Sequence, residues 1–184
     1  MPTKRLGEVV SVRKSIEPGS EAYQAAGVPF VRVADLSKFG LGSPSVCLDP
    51  KAFASTHRPK KTDTLLSKDG SVGIAYKIDE ETDIFTSGAL LRLSVRDKGV
   101  LSDYLTLMLN SPIVRMQAER DAGGSIIQHW KPSEIEQVVI PILPAHMQQG
   151  LSERVSKSFA LRKESKAQLA AAKLMVEQAI EHFA

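Results

Sequence analysis

Asp63, Lys68 and Asp69 are the closest this chain comes to catalytic chemistry, because a metal-dependent nuclease needs acidic residues and a lysine on adjacent strands around a divalent ion. Asp63 and Asp69, however, flank a short apolar stretch and suit the capping of its turns. The four histidines, His57, His129, His146 and His182, are scattered and show no HExxH or similar metal spacing. Ser71 within Gly70-Ser71-Val72-Gly73 is one residue short of a Gly-x-Ser-x-Gly elbow. The preceding Lys68-Asp69-Gly70 gives two glycines and a lysine without the spacing of a phosphate-binding loop. Methylation of DNA adenine would need a Gly-rich loop for the methyl donor and an Asn/Asp-Pro-Pro-aromatic loop, but Asp49-Pro50 is followed by Lys51. Cys47, the single cysteine, excludes an internal disulfide or a cysteine zinc cage and has no evident activating neighbour. No catalytic residue, metal or cofactor is therefore expected in this chain.

Recognition is what remains, and its candidates are cations in turn-rich segments. Arg13, Lys14, Lys38, Arg58, Lys60, Lys61 and Lys68 can reach outward to phosphate, with Arg58-Pro59-Lys60-Lys61 the densest cluster. A second set follows two glycines in Gly123-Gly124-Ser125-Ile126-Ile127-Gln128-His129-Trp130-Lys131. There Ser125, Gln128, His129 and Lys131 offer hydrogen-bonding groups, Gln128 suited to adenine and Lys131 to guanine or phosphate. Trp130, the only tryptophan, is expected to anchor the core. Net charge is +3, a mild excess that proves no nucleic-acid partner; residues 145–184 hold 6 Lys/Arg and 4 Asp/Glu, leaving 18 and 17 for the rest. Any binding surface must come from local placement.

The elements that would position these residues are short. Strands are predicted over residues 9–12, 30–33, 64–67, 72–76, 89–93 and 138–140, with Phe30, Val31 and Val33 around Arg32, and Leu91 and Leu93 around Arg92, as half-buried alternations. Long polar connections cover 37–59 and 80–87, lengths that usually mark functional or mobile loops. Helices are expected over 102–110, with Ser102 as N-cap, over 113–121, and as a short turn over 132–136. Beyond Pro144 there is no proline and only Gly150, so 146–183 predicts one long helix. Leu151, Val155, Leu169, Ala172, Val176, Ala179, Ile180 and Phe183 approximate a heptad seam, interrupted at Arg162 and Ser165. Such an arm pairs with another helix, or else lies half across its own domain.

The chain has 184 residues, 42% hydrophobic and 24% charged, enough for one core plus an appendage. No apolar run approaches the ~20 residues of a membrane span, and Met1-Pro2-Thr3-Lys4-Arg5 leads into no signal core, so a cytoplasmic protein is expected. The fold class expected is α+β: a domain of short twisted strands and a few helices over 1–144, then a coiled-coil-type helix over 145–184.

Four segments in order resemble the target-recognition domains of type I restriction-modification specificity subunits. They are Gly27-Val28-Pro29-Phe30-Val31-Arg32-Val33-Ala34-Asp35-Leu36, preceded by Leu6-Gly7-Glu8-Val9; residues 63–73; residues 104–112 continuing to 123–130; and Val139-Ile140-Pro141-Ile142-Leu143-Pro144 with Gln148 following. The resemblance implies a non-catalytic reader of double-stranded DNA that directs a methyltransferase subunit and a restriction subunit to a bipartite site. Those partners would bind methyl donor and ATP. Subunits of this family usually carry two such domains joined by helices that pair antiparallel, whereas one domain and one helix are present here. Two copies could therefore join through Leu151, Val155, Leu169, Val176, Ile180 and Phe183 and read an inverted repeat. Alternatives are a fragment or natural half of a longer subunit, a recognition piece of a single-chain restriction-methylase, against which Met1 and the prompt Arg5-Leu6-Gly7 opening argue modestly, or a coiled-coil scaffold with no DNA role.

Overall fold

The computed structural model describes residues 1–124 and 128–182 in full, together with the backbone of Phe183. In chain order the elements are β1 (Thr3–Arg5), the helical turn α1 (Leu6–Val9), β2 (Val10–Lys14), β3 (Val28–Val31), β4 (Leu36–Ser37), β5 (Gly40–Leu41), β6 (Cys47–Leu48) and β7 (Thr64–Ser67). There follow β8 (Ala75–Lys77), β9 (Phe85–Thr86), β10 (Leu90–Val95), α2 (Ser102–Leu109), α3 (Pro112–Asp121), α4 (Pro132–Glu136), β11 (Val139–Pro141) and α5 (Ala145–Phe183). The fold is thus α+β, with short strands, a few helices and then a long C-terminal helix.

The main sheet runs β2-β10-β7-β8 and is antiparallel throughout. Because side chains alternate along β10, its Leu91 and Leu93 enter one core and its Leu90 another. The larger core adds Val10 and Leu66 from the neighbouring strands, Tyr104, Leu105 and Leu109 from α2, Val114 from α3, and Trp130. On the other face Leu90 and Leu65 meet Val31, Leu36, Ile78 and Ile84. A smaller sheet, β6-β3-β9, buries Val28, Phe30, Leu48 and Phe85. Arg92 also points into the second face; it lies 3.7 Å from Asp63 and donates from Nη1 to the Arg58 carbonyl at 2.6 Å, so a buried cation is matched rather than stranded.

Side-chain amides close several open backbone edges. Asn110, at the end of α2, accepts from the Ala75 N–H at 3.1 Å and donates to the Ala75 carbonyl at 2.8 Å, standing where another strand would pair with β8. Gln117 does the same for Val139 in β11, at 2.8 and 2.9 Å. Ser102 is the first residue of α2 rather than its cap; Leu101 stands at that N-cap without a side-chain bond, whereas α3 is capped by Ser111, which accepts from the Val114 N–H, with Pro112 in its first turn. The expected strand at 72–76 is shifted to Ala75–Lys77 because Gly70 (φ 71°) and Gly73 (φ 85°) spend residues 68–74 on a turn.

The N-terminal β1 pairs with β11, so the chain begins beside the root of α5. That root belongs to the domain: Gln148 is buried, accepts from the Leu101 N–H, and donates to the Gly99 and Leu143 carbonyls at 2.9 and 2.8 Å. Leu151 packs on the large core, and Phe159 reaches the Tyr76 ring at 6.2 Å. From Ala160 to His182 every residue is exposed. The first half of the arm thus crosses its own domain, and the second projects away from it.

Candidate nucleic-acid interface

Apart from Lys38, the cations singled out in the sequence fall toward the two ends of the short strand β7, which is about 13 Å long. At its C-terminal end Lys68 is followed by Asp69, whose carboxylate pairs with the Lys68 ammonium through one oxygen and with His129 Nδ1 at 2.9 Å through the other. Backbone bonds from the Trp130 N–H to the Lys68 carbonyl (2.8 Å) and from the Gly70 N–H to the Gln128 carbonyl (2.9 Å) dock residues 128–130 on this turn. Lys68, Gln128 and His129 are thereby brought together although far apart in sequence, and Lys131 follows as N-cap of α4 with its Nζ 3.0 Å from Glu134. Arg13 and Lys14 share this end of the sheet, since Lys14 stands opposite Leu91, which stands opposite Leu66. Ser125 lies outside the described residues.

Asp69, weighed in the sequence as a metal ligand and preferred as a turn cap, ties Lys68 to His129. Burial alone would raise its carboxyl, but hydrogen bonds from Lys68 and His129, with their charges, outweigh that and hold it below the ordinary carboxylate value. The only signal available in sequence was its position in Lys68-Asp69-Gly70; the pairing to His129 is purely tertiary.

At the other end of β7, Arg58 is already engaged. Its guanidinium lies 4.5 Å from the Phe85 ring centroid and pairs with Asp83. Lys60 and Lys61 are exposed beside it, on the side of Glu80 and the arm's Lys163. Lys38 sits on the β4–β5 hairpin, 5.0 Å from the Phe39 ring. It shares with Gln128 an open cleft of about 630 Å³, lined also by Arg115, Asn110 and the 72–74 turn. Arg13, Lys14, Lys60 and Lys61 form no ion pair among the described residues, which leaves their charge available to a partner. Among those residues no group of three or more His, Cys, Asp or Glu is placed to hold a metal ion, and no helix is long and apolar enough to cross a membrane. Trp130 is 1% exposed and sits in the large core, as expected.

This fold recurs in solved proteins. The S subunit of a type I restriction-modification system from M. genitalium matches over 91% of this chain and 41% of its own, with a TM-score of 0.66 and 17% identity. The chain has the fold of one half of a type I S subunit. A structure bearing on complex assembly and conformational transition of the type I system matches over 97% of this chain and 44% of its own (TM-score 0.63, 21% identity). The HsdS subunit from Thermoanaerobacter tengcongensis matches over 97% and 43% (TM-score 0.60, 22% identity). This chain therefore spans less than half the length of the solved S-subunit chains it matches. No protein-family model matches the sequence, and no curated protein matches it either.

Proposed function

We propose that this chain is a non-catalytic DNA-reading module of a type I restriction-modification system, working in the cytoplasm. It would read one half of a bipartite site and bring a methyltransferase subunit, and with it a restriction subunit, to that site. The observation that carries the reading is the likeness of nearly the whole chain, domain and arm together, to less than half of each solved S subunit. A single reading half is incomplete. The exposed seam of α5 supplies the means of completing it, by pairing two copies into a two-fold reader of an inverted repeat.

Lys68, Gln128, His129 and Lys131 would meet one stretch of DNA with Arg13 and Lys14 on its phosphates. Lys38, Lys60 and Lys61 would extend the basic surface along the hairpin side, whereas Arg58 is engaged by Phe85 and Asp83 and would serve chiefly to hold its loop. Phosphate contacts release counterions, so affinity should fall linearly on a log–log plot of binding constant against salt. Four phosphate contacts, from Arg13, Lys14, Lys60 and Lys61, would give a slope of about −3.6 per copy, roughly −7 for a dimer, at about −0.9 per phosphate. Fluorescence anisotropy with a labelled duplex between 50 and ~300 mM salt measures it. Binding that ignores salt, or no binding with or without the methyltransferase subunit, contradicts the proposal.

A further inference from the structure

The arm leaves its own domain across open space. Two clefts, of about 620 and 750 Å³, lie between the first half of α5 and the surface made by α2, the 76–82 segment and the β4–β5 hairpin. Phe39, Phe159 and Arg162 line both clefts. The helix here is not seated on a continuous packed face; a few side chains span the gap. At the root the hold is tight, through buried Gln148 and half-buried Leu151. Further along, contacts with the domain are Phe159 against Tyr76, Arg162 with its guanidinium 4.3 Å from the Phe39 ring, and Lys163 at 2.8 Å from Glu80.

From this we infer that Phe39 and Arg162 form a strut that sets the angle between reading domain and arm, and so determines which half-site spacing a two-copy reader accepts. The inference rests on the proposed DNA-reading function for its consequence, though not for the strut itself. Three observations carry it. Phe39 is an aromatic ring 46% exposed at the tip of a hairpin, where nothing in the domain's core requires one. Arg162 occupies a position of the heptad row where an apolar residue would serve pairing better, and its side chain is turned to Phe39. The strut also stands where leverage is greatest, about 21 Å along the helix from Gln148.

The geometry makes the angle matter. An arm of 39 residues is about 58 Å long, so a tilt of about 10° at the root displaces its tip by about 10 Å relative to the domain. That is about three base-pair steps at 3.4 Å. A root without the strut would let one dimer accept several spacings; a root with it would select one. The hairpin that bears Lys38 thus has a second task, coupling the reading surface to the arm.

The test uses the full chain with Cys47→Ser and spin labels placed through Met116→Cys on α3 and Glu181→Cys near the arm's end, diluted with unlabelled protein so that only distances within one copy are read. Pulsed dipolar spectroscopy should give one narrow distance, and Phe39→Ala and Arg162→Gln should each widen it at least about twofold. Both substituted side chains are exposed or line open clefts, so circular dichroism should stay unchanged. In parallel, duplexes selected by the unsubstituted chain are rebuilt with spacers altered by two or three base pairs. A preference of about tenfold for the selected spacing should fall below about threefold in either variant. Equal widths in all three proteins, or a distance already broad before substitution, would overturn the strut. Broadened distances with an unchanged spacing preference would overturn its part in site choice. Failure of the unsubstituted chain to select any duplex would count against the DNA reading, while the distance widths would still decide the strut.

Discussion

On the proposed two-copy reading, the unsubstituted full chain should sediment as a dimer, and with Leu169, Val176 and Ile180 changed together to Glu it should sediment as a monomer at the same concentration. These residues are 59%, 59% and 64% exposed in the single chain, which is unusual for large apolar side chains repeating along one helical face. Burying each of them against a partner helix is worth roughly 1.5–3 kcal/mol, and a two-fold pair buries every one twice. Three glutamates on each helix would remove that gain and set like charges along the seam. A weakening of dimerisation by more than about a thousandfold follows, since a factor of ten corresponds to about 1.4 kcal/mol. The domain should melt at nearly its original temperature, because none of the three touches the core. Persistence of the same oligomer would show that another surface assembles the chain. Leu151 and Val155 make a poorer test, for both are half-buried against their own domain, and the side chain of Phe183 lies outside the described residues.

Trp130→Ala should be the most damaging single substitution in the reading domain, at a cost of about 3–5 kcal/mol. Trp130 is among the largest fully buried side chains and lies in the core shared by β10, α2 and α3. Its backbone N–H also fixes the 128–130 segment to Lys68, so loss of the ring loosens the segment that carries Gln128 and His129. For a chain of this size the melting temperature should drop by about 6–20 °C in a thermal denaturation experiment. Trp130→Phe should cost less, because the indole N–H is buried with no partner among the described residues and removing it relieves an unsatisfied donor. An equal loss from Phe and from Ala would mean that the N–H, which both substitutions remove, and not the ring's volume holds the site.

Much of this fold was legible from local patterning. Thr64-Leu65-Leu66-Ser67 is an apolar run with turn residues on either side and forms β7 with the expected limits. The break at Asn110-Ser111-Pro112 separates α2 from α3, since proline cannot continue a helix from the preceding residue. The helix beyond Pro144 needed only composition. The hairpin β4–β5 and the strand β6 were not legible in and beside the polar stretch 37–59, because two-residue strands carry no periodicity; β4 and β5 pair only with each other across a tight tip, and β6 is defined by β3, distant in sequence.

The candidate site divides in the same way. Cations in turns could be picked out, but their occupation could not. Arg58 and Lys60 are neighbours of similar type, yet one is stacked on Phe85 and paired with Asp83 while the other is exposed without an ion pair among the described residues. Arg162 looked like a flaw in a heptad row and proves to be half of a contact with Phe39. In each case the deciding partner lies far along the chain, where charge and spacing give no guide.

The central claim, that two copies read a split DNA site, is tested most directly by selection of duplexes from a random pool with the purified full chain at near-physiological salt. The account predicts enrichment of an inverted repeat, two short half-sites of one sequence at one fixed separation, and loss of that enrichment when Leu169, Val176 and Ile180 are replaced by Glu. A pool that emerges without any shared sequence, or with one undivided site bound equally well by the monomeric variant, would contradict it.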